Sequence, residues 1–242
     1  MKKPRQQSCL FGVKAFEEAI NNQVHIKLVN ISIRHKKLIP LIEAKKINFQ
    51  IHSTNWFNNQ YRDINHQELV AVLDTNQLLI PLDQLVKVVE NKKCSTLVML
   101  DEIQDPYNFG AILRTCLASE VDGIIFKKNN QVPINNTVMK TSMGSVFYQN
   151  LVQVANLSYT ITKLKEIGFW TVVSTLDPIW KPIDYRKVDF AKKILIVGNE
   201  DRGVNQLITK NADCRIKIPM NNKINSLNVS VALGIILFAW KN

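Results

Sequence analysis

The second part of the chain alternates between short apolar runs and segments whose apolar residues recur at helical spacing. Five runs have the composition of buried strands, at residues 96–103, 123–128, 170–176, 192–200 and 214–219. Alternation of this kind predicts an α/β fold, with a mostly parallel sheet covered by helices on both faces. Ligands bind such sheets beyond the carboxyl ends of the strands. The polar residues that follow each run are therefore the first candidates for a functional site.

The first part of the chain has shorter elements, which predict a small α/β domain of its own. Helices are predicted at residues 12–20, 36–46 and 81–90, and strands at residues 24–30, 47–53 and 68–73. Pro40 is expected in the first turn of its helix. The polar stretch 54–67 predicts a loop or a short helix. Residues 91–95 are charged and aperiodic, so we expect domains at residues 1–90 and 96–242 with a linker between them.

The charge of the chain indicates a polyanionic partner. Lys and Arg number 31 against 20 Asp and Glu, which gives a formal net charge of +11 and an isoelectric point near 9.5. Nucleic acid is the commonest such partner and a membrane surface a rarer one, although a generally basic protein would show the same balance. Residues 229–240 are too few to span a bilayer, and the N-terminus lacks the apolar core of a signal peptide. We therefore expect a cytoplasmic protein.

The spacing of cysteine, histidine and glycine argues against several classes of site. The four cysteines include no CxxC pair, so reduced thiols are expected and a structural zinc site is not. All four histidines precede residue 67, and the glycines form neither GxGxxG nor GxxxxGK[ST]. A Rossmann dinucleotide site, a P-loop and a histidine proton shuttle are thus disfavoured in the second part. Chemistry there has to use Arg, Asn, Glu, Ser and backbone groups, and no metal is expected.

A polar cluster follows the first predicted strand of the second part. Asn108 can cap the helix that comes next, which is also a common structural role for asparagine. Arg114 lies within that helix beside the apolar Leu113 and Leu117, so we expect part of it to be buried. A buried arginine usually meets an anion, whereas an exposed one needs no partner.

Two more clusters follow later strands. Gly198 ends an apolar run and permits close backbone approach to a ligand, and Glu200 could orient a hydroxyl or pair with Arg114. Ser226 and Asn228 open the last helix, whose N-terminus is a donor site for an anion. A plain turn would also explain Gly198 and Glu200. A helix cap would explain Ser226 or Asn228, but a cap uses only one side chain and leaves the other unexplained.

Three segments resemble, in order and spacing, the motifs of a known enzyme family. They read DEIQDPYNFGAILRT, LIVGNEDRGV and IPMNNKINSLNVSVALGIILF. The family is the SpoU (TrmH) family of S-adenosylmethionine-dependent RNA 2′-O-ribose methyltransferases, and the resemblance covers residues 95–242. The first part of the chain is similar to the family's substrate-binding domain, which has an L30e/L7Ae-like α/β fold.

The resemblance implies a SPOUT-type fold with a deep trefoil knot near the C-terminus, an exception to the usual rules of chain connection. It also implies a homodimer that pairs through the knot region and an active site that uses both subunits. The apolar helix at residues 229–240 could serve that contact, although burial in the core would explain it equally.

Eight positions match functional residues of the family. The active-site set is matched by Asn108, Arg114, Glu200, Ser226 and Asn228. The contacts to S-adenosylmethionine are matched by Gly198, Ile218 and Leu227. The resemblance implies that Arg114 helps to activate the hydroxyl as a base; phosphate binding and stabilisation of a developing alkoxide are the alternative roles that arginine chemistry favours. It also implies that Asn108 holds Arg114 or the ribose, and that Glu200 orients Arg114. Ser226 and Asn228 would shape the cofactor and hydroxyl pocket. Glu120 replaces the family's usual glycine and is expected to alter only a turn.

The substrate that the resemblance implies is RNA, with a guanosine ribose of 23S ribosomal RNA as the first expectation. The same fold would also suit a tRNA ribose methyltransferase or a resistance rRNA methylase. A non-catalytic RNA-binding protein of ribosome assembly is the alternative from a different class. The basic and aromatic candidates for RNA contact all lie in the first part of the chain: Arg34, His35, Lys36, Lys37, Lys45, Lys46, Trp56 and Tyr61.

Overall fold

The computed structural model describes residues 8–221, 223–224 and 226–241. The first part forms a four-stranded mixed sheet from β1 (Ser8–Phe11), β2 (Ile26–Ser32), β3 (Phe49–His52) and β4 (Leu69–Leu73). The strand order is β1-β4-β2-β3, with β2 and β3 parallel and the other pairs antiparallel. Its helices are α1 (Val13–Asn21), α2 (Ile39–Ala44) and α3 (Thr54–Gln60). Pro40 lies in the first turn of α2, as predicted, and α3 decides the loop-or-helix alternative for the polar stretch.

The second part forms a seven-stranded sheet in which every pairing is parallel. Its strands are β5 (Ser95–Asp101), β6 (Gly123–Lys127), β7 (Leu151–Val154), β8 (Trp170–Ser174), β9 (Ile183–Asp184), β10 (Lys192–Gly198) and β11 (Cys214–Lys217). The order β7-β6-β5-β10-β8-β11-β9 places β10 in the middle. Helices α5 (Pro106–Ala118), α6 (Asn136–Thr141), α7 (Leu157–Glu166), α8 (Gln206–Lys210) and α9 (Val229–Trp240) connect and flank the strands.

Helices cover both faces of this sheet, which confirms the predicted fold class. Successive residues of a strand point to opposite faces, and β5 shows this directly. Val98 and Leu100 belong to the core that includes α5, α6 and α9. Leu97 and Met99 belong to the core that includes α7 and α8. The trefoil knot stays a prediction.

Two connections fasten the first sheet to the second. The Ser8 hydroxyl on β1 donates to the Ile134 carbonyl at 3.0 Å, and the Cys9 amide donates to the Asn136 Oδ1 at 2.6 Å. At the other end of the first part, Leu79 forms an isolated bridge to Leu151 of β7. The two parts are therefore held together at separate points along the chain.

Helix α4 (Leu82–Val89) precedes the predicted linker but packs on the second sheet. Its buried Leu85 and Val89 join the core that contains Leu97 and Met99. Ser95, the last residue of the predicted linker, already pairs with Lys192 as the first residue of β5. The domain limits at residues 90 and 96 stay a prediction, and this packing favours a boundary nearer residue 80.

The packing of α4 generates a stability prediction. Leu85→Ala should lower the free energy of unfolding by about 2–5 kcal/mol, because it leaves a cavity under a fully buried side chain. Val88→Ala is the matched control on the exposed side of the same helix, and its effect should stay within about 0.5 kcal/mol. Chemical denaturation measures both changes. Equal, small effects would show that α4 does not pack on the second sheet.

Candidate active site

One asparagine side chain links three distant segments of the chain. The Asn108 amide nitrogen on α5 donates to the Glu200 Oε1 just after β10, at 2.7 Å. The Asn228 amide nitrogen at the start of α9 donates to the Asn108 Oδ1 at 2.8 Å. Asn108 is only 8% exposed, whereas Glu200 and Asn228 are exposed, so both bonds are partly buried at the edge of the core. The sequence predicted that these three residues belong to one site, and the structure brings them into direct contact.

The direction of these hydrogen bonds is fixed by the carboxylate. An ionised carboxylate only accepts, so Asn108 must turn its NH₂ group to Glu200 and its oxygen to Asn228. Asn228 must then donate with its own nitrogen, and its oxygen is left to accept from the Ser230 amide at 2.9 Å. A continuous chain of donors and acceptors thus runs from the first turn of α9 to Glu200.

The helix caps differ from the sequence prediction in one respect. Asp105 caps α5 by accepting from the amides of Tyr107 and Asn108, so Asn108 is not the cap. With the backbone already capped, the Asn108 side chain is free to bridge Glu200 and Asn228. At α9 the cap is Asn228, and Ser226 lies before it. Of the two polar residues predicted at this helix start, one is therefore the cap, and Asn228 serves a second purpose by bonding Asn108.

A cleft of about 570 Å³ opens beside this bridge, at the carboxyl ends of the strands. All three predicted cofactor positions line it, as do three members of the predicted catalytic set: Gly198, Ile218, Leu227, Glu200, Ser226 and Asn228. The chain's own geometry thus groups these residues, while their individual roles stay predictions. Among the residues described, no group of His, Cys, Asp and Glu side chains is arranged to hold a metal ion. The same residues contain no cis peptide bond.

A fourth strand end contributes residues that the sequence analysis missed. Ser174 ends β8, Asp177 and Trp180 follow it, and all three line the cleft. The Arg215 guanidinium lies 5.6 Å from the centroid of the Trp180 ring and holds that wall through a cation–π contact. The same strand-end rule that selected Glu200 would have selected these residues, because they lie at the end of the run at residues 170–176 or just beyond it.

Gly198 is required by the chain itself. A Cβ atom at this position would lie 2.2 Å from the carbonyl carbon and oxygen of Gly203 and 2.3 Å from the Val204 nitrogen. The tight loop is closed by the Gly203 amide, which donates to the Asn199 carbonyl at 2.9 Å. The sequence predicted close approach to a ligand, and the structure shows close approach to the loop that carries Glu200.

One ion pair and two hydrogen bonds hold the same loop at the neighbouring strand ends. Asp101 ends β5, is paired in register with Gly198, and accepts from the Asn205 amide at 2.8 Å. Lys127 at the end of β6 lies 3.6 Å from the Asp101 carboxylate. The Asn199 side chain donates to the Glu102 carbonyl at 3.1 Å. These contacts fix where the chain leaves β10, and hence where Glu200 stands.

The prediction that Arg114 is partly buried is wrong for the single subunit. Arg114 is exposed, and within the described part of the chain it makes no ion pair with Glu200. The reason is helical geometry, because six residues turn a side chain by roughly 240° around the axis, away from Asn108. Arg114 instead shares the outer surface of α5 with the exposed Leu117.

The predicted RNA-contact residues lie on the first sheet's domain with mixed exposure. Lys36, Lys37, Lys45 and Lys46 are exposed. Trp56 is half-buried, and its ring stacks on His52 with centroids 3.6 Å apart. One face of Trp56 is therefore covered by the chain itself, which limits the stacking that was predicted for it. The role of these residues stays a prediction.

Comparison with known proteins agrees with this geometry. Residues 95–238 match the model of the SpoU rRNA Methylase family. The chain belongs to this family. Residues 9–79 match a second model, RNA 2′-O ribose methyltransferase substrate binding. The chain is therefore a SpoU-family RNA methyltransferase with a separate substrate-binding domain.

Three relatives show how far the likeness extends. An uncharacterized tRNA/rRNA methyltransferase of Mycoplasma pneumoniae is 62% identical over 242 residues, the full length of both chains. The crystal structure of an AdoMet-bound rRNA methyltransferase from Sinorhizobium meliloti has a TM-score of 0.83, with 24% identity over 97% of this chain and 86% of that chain. The TrmH/SpoU tRNA modifying enzyme of A. aeolicus is 33% identical, with a TM-score of 0.55 over 66% and 80% of the two chains. In the described residues, no helix is long and apolar enough to cross a membrane.

The Asn108 bridge generates a kinetic prediction. Asn108→Ala should lower kcat/KM for methyl transfer by about a hundredfold, because Glu200 and Asn228 lose their common anchor. Asn108→Asp should be equally poor, since it keeps the shape but replaces the donor to Glu200 by an acceptor. Transfer of a radioactive methyl group to RNA measures both.

The control is Asn156→Ala, which removes a side-chain cap from α7. It should cost about 1 kcal/mol of stability and leave the transfer rate unchanged. If Asn108→Ala behaved like this control, the bridge would be structural only.

Proposed function

We propose that this methyltransferase transfers a methyl group from S-adenosylmethionine to the ribose 2′-hydroxyl of a guanosine in 23S ribosomal RNA. The observation that carries the proposal is the Asn108 bridge between Glu200 and Asn228 at the mouth of the cleft. Such a bridge fixes two side chains from distant segments at a place where a helix start and strand ends meet. Reactions that depend on alignment need that rigidity.

The cleft has the size and chemistry that S-adenosylmethionine requires. Its volume of about 570 Å³ falls within the range of small-molecule pockets, roughly 300–1,000 Å³. Ile218, Leu227 and Val229 would supply an apolar surface for the nucleoside, and Asp177 and Glu200, which line the same cleft, would supply negative charge that suits a sulfonium cation. The related rRNA methyltransferase of Sinorhizobium meliloti was crystallised with AdoMet bound. When bound, this donor supplies a methyl group already activated for displacement.

The residues of the chain then have to hold the ribose 2′-hydroxyl against the methyl group and keep other nucleophiles away from it. Asn108 holds the Glu200 Oε1, which leaves the Glu200 Oε2 to accept from the ribose hydroxyl. Ser226 and Asn228 form the wall across the cleft at the start of α9. The hydroxyl oxygen has to lie roughly 3–3.5 Å from the carbon it attacks, so small displacements of this wall are costly.

Arg114 acts in the cleft of a partner subunit. Its side chain lies on the outside of α5, which packs against α9. The outer face of α9 exposes Val231, Ile235 and Phe238, and Phe238 is 53% exposed. An apolar stripe of this kind suits a twofold contact between two copies, and such a contact would carry Arg114 across the boundary. There the guanidinium binds the neighbouring phosphate, and its N–H donors stabilise the developing alkoxide.

Ribosomal RNA is preferred to tRNA because the substrate-binding domain is present. The A. aeolicus tRNA modifying enzyme is similar over 66% of this chain, whereas the S. meliloti rRNA methyltransferase is similar over 97%. The net charge of +11 suits either RNA. A tRNA ribose is the second candidate substrate, and it is supported by the 33% identity to the tRNA modifying enzyme.

The substrate prediction is tested by mapping ribose methylation. Total RNA from strains with and without the gene should differ in ribose methylation at one position, a guanosine of 23S rRNA. The wild-type gene should restore the methyl group. Arg114→Ala should not restore it, although titration should show that this variant still binds S-adenosylmethionine. Loss of a tRNA position instead would favour the second candidate, and an unchanged map would contradict both.

The role of Arg114 across the subunit boundary is tested by mixing two inactive variants. Arg114→Ala and Asn108→Ala, refolded or co-expressed together, should regain about a quarter of wild-type activity, because half of the dimers are mixed and each mixed dimer has one complete site. Neither variant alone should show this activity. If the mixture stays inactive while mass measurement confirms mixed dimers, Arg114 serves its own subunit or neither.

A further inference from the structure

Trp180 is the one aromatic side chain that lines the cleft in the described part of the chain. It ends the 3₁₀ turn at Pro178–Trp180, which follows β8. The four residues before it, 176–179, are exposed, whereas Trp180 is half-buried. The turn therefore directs this indole ring back towards the protein, at the rim of the cleft.

The turn that carries Trp180 is held by hydrogen bonds of its own. The Thr175 amide donates to the Ile216 carbonyl of β11 at 3.0 Å, which ties the start of the segment to the sheet. The Asp177 carboxylate accepts from the Ile179 amide at 3.0 Å and so caps the turn. The backbone that presents the ring is thus fixed by the chain itself.

Arg215 on β11 holds the ring from one side. Its guanidinium lies over the Trp180 ring, with the central carbon 5.6 Å from the ring centroid. The same guanidinium donates to two carbonyls at the end of α8, those of Thr209 at 2.9 Å and of Lys210. Carbonyls at a helix C-terminus lack partners within the helix and attract a cation. Arg215 is therefore anchored by α8 and covers one face of the indole.

No second aromatic ring of the described chain pairs with Trp180. By contrast, Trp56 stacks on His52, and Trp170 stacks on Phe190. A cation over one face of an indole leaves the other face available to a flat ring. Because Trp180 lines the cleft, a ligand with an aromatic ring is the partner that suits it.

The position of Trp180 in the cleft selects one part of S-adenosylmethionine. Asn108, Glu200 and Asn228 hold the end of the site next to α5 and α9. Trp180 and Arg215 lie at the end next to α8, so one arm of the cofactor has to extend towards them. The methionine arm is not aromatic, and its ammonium group would be repelled by the guanidinium over the ring. The adenosine arm carries an adenine that can stack on the indole.

We propose that Trp180 recognises the adenine of S-adenosylmethionine by stacking on it, and that Arg215 is the positioning residue that holds Trp180 for this contact. The inference rests on the proposed function only in placing the cofactor in the cleft. It adds two side chains to the cofactor positions predicted from the sequence, which are Gly198, Ile218 and Leu227. The contact is made with the cofactor before and during transfer, so it sets KM for the cofactor and leaves kcat unchanged.

The test measures the dissociation constants of two unreactive ligands by calorimetry. S-adenosylhomocysteine has both arms, whereas 5′-methylthioadenosine has the adenosine without the amino acid. Trp180→Ala should raise both constants about tenfold, because both ligands lose the same stack. Trp180→Phe keeps an aromatic face and should stay within about threefold of the wild type. The matched control is Trp170→Ala, which removes an indole from the amino end of β8 and should change neither constant.

Two results with Trp180→Ala would overturn the proposal. Unchanged constants for both ligands would show that the ring does not contact the cofactor. A weaker binding of S-adenosylhomocysteine alone would place the ring against the methionine arm.

Fluorescence of the wild-type chain keeps the proposal testable if Trp180→Ala does not fold. Saturating 5′-methylthioadenosine should quench part of the tryptophan emission, and Trp180→Phe should lack that part of the change. Constant emission of the wild-type chain, while calorimetry shows that the ligand binds, would reject the stack.

The role of Arg215 is tested by a double-mutant cycle. Arg215→Met keeps the stem and removes the cation, so it should raise the dissociation constant of 5′-methylthioadenosine about threefold. Arg215→Lys should restore most of this loss. In the Trp180→Ala chain, Arg215→Met should have no further effect, because the ring that it positions is gone. An equal effect in both backgrounds would show that Arg215 does not act through Trp180.

Failure here and failure of the proposed function give different results. Asn108→Ala should lose methyl transfer and keep its affinity for 5′-methylthioadenosine. A methylated guanosine in 23S rRNA, together with wild-type affinities in Trp180→Ala, would reject only the adenine contact. Methylation of tRNA by a chain that shows the quenching would reject only the substrate assignment.

Discussion

The candidate active site depends on two hydrogen bonds made by Asn108. Its donor holds Glu200 and its acceptor holds Asn228, so three segments that are distant in sequence share one anchor. Asn228 also caps α9, which couples the position of a whole helix to that of one carboxylate. An amide suits this position because it both donates and accepts, so one buried side chain can hold two partners.

The surrounding fold explains why the anchor can be so small. The loop that carries Glu200 leaves β10 through Gly198, where no side chain could be accommodated. Asp101, Lys127 and Asn199 hold the same loop at the neighbouring strand ends. Each contact restricts the backbone before Asn108 makes its bond, so the bridge has only to select one arrangement from very few.

Much of this arrangement could be predicted from the sequence, and the exceptions have physical reasons. The alternation of apolar runs predicted the parallel sheet, and the strand-end rule predicted Glu200 and Asn228. Asn108 was predicted for the site, but its capping role was wrong, because the sequence does not show that Asp105 already fills that role. The exposure of Arg114 was missed because its neighbours in sequence are apolar while its own side of the helix faces outward.

Other features could not be predicted because they depend on tertiary contacts. Strands β1, β7 and β9 are short, and pairing rather than composition defines them. Helix α4 has an ordinary amphipathic pattern that says nothing about which sheet it covers. Glu68 follows a polar stretch that predicts a loop or a short helix. Its burial depends on left-handed backbone angles at Gln67 and Glu68, which a sequence without glycine at these positions does not predict.

The double attachment of the first sheet has a consequence for how RNA is selected. The bonds from Ser8 and Cys9 at one end, and the bridge from Leu79 to Leu151 at the other, prevent the substrate-binding domain from swinging as a tethered module. The substrate-binding domain and the cleft therefore keep a fixed distance and direction from each other. We therefore expect an RNA that contacts both the first sheet's domain and the cleft to need a fold that spans this distance, and short linear copies of the target sequence to be methylated more slowly.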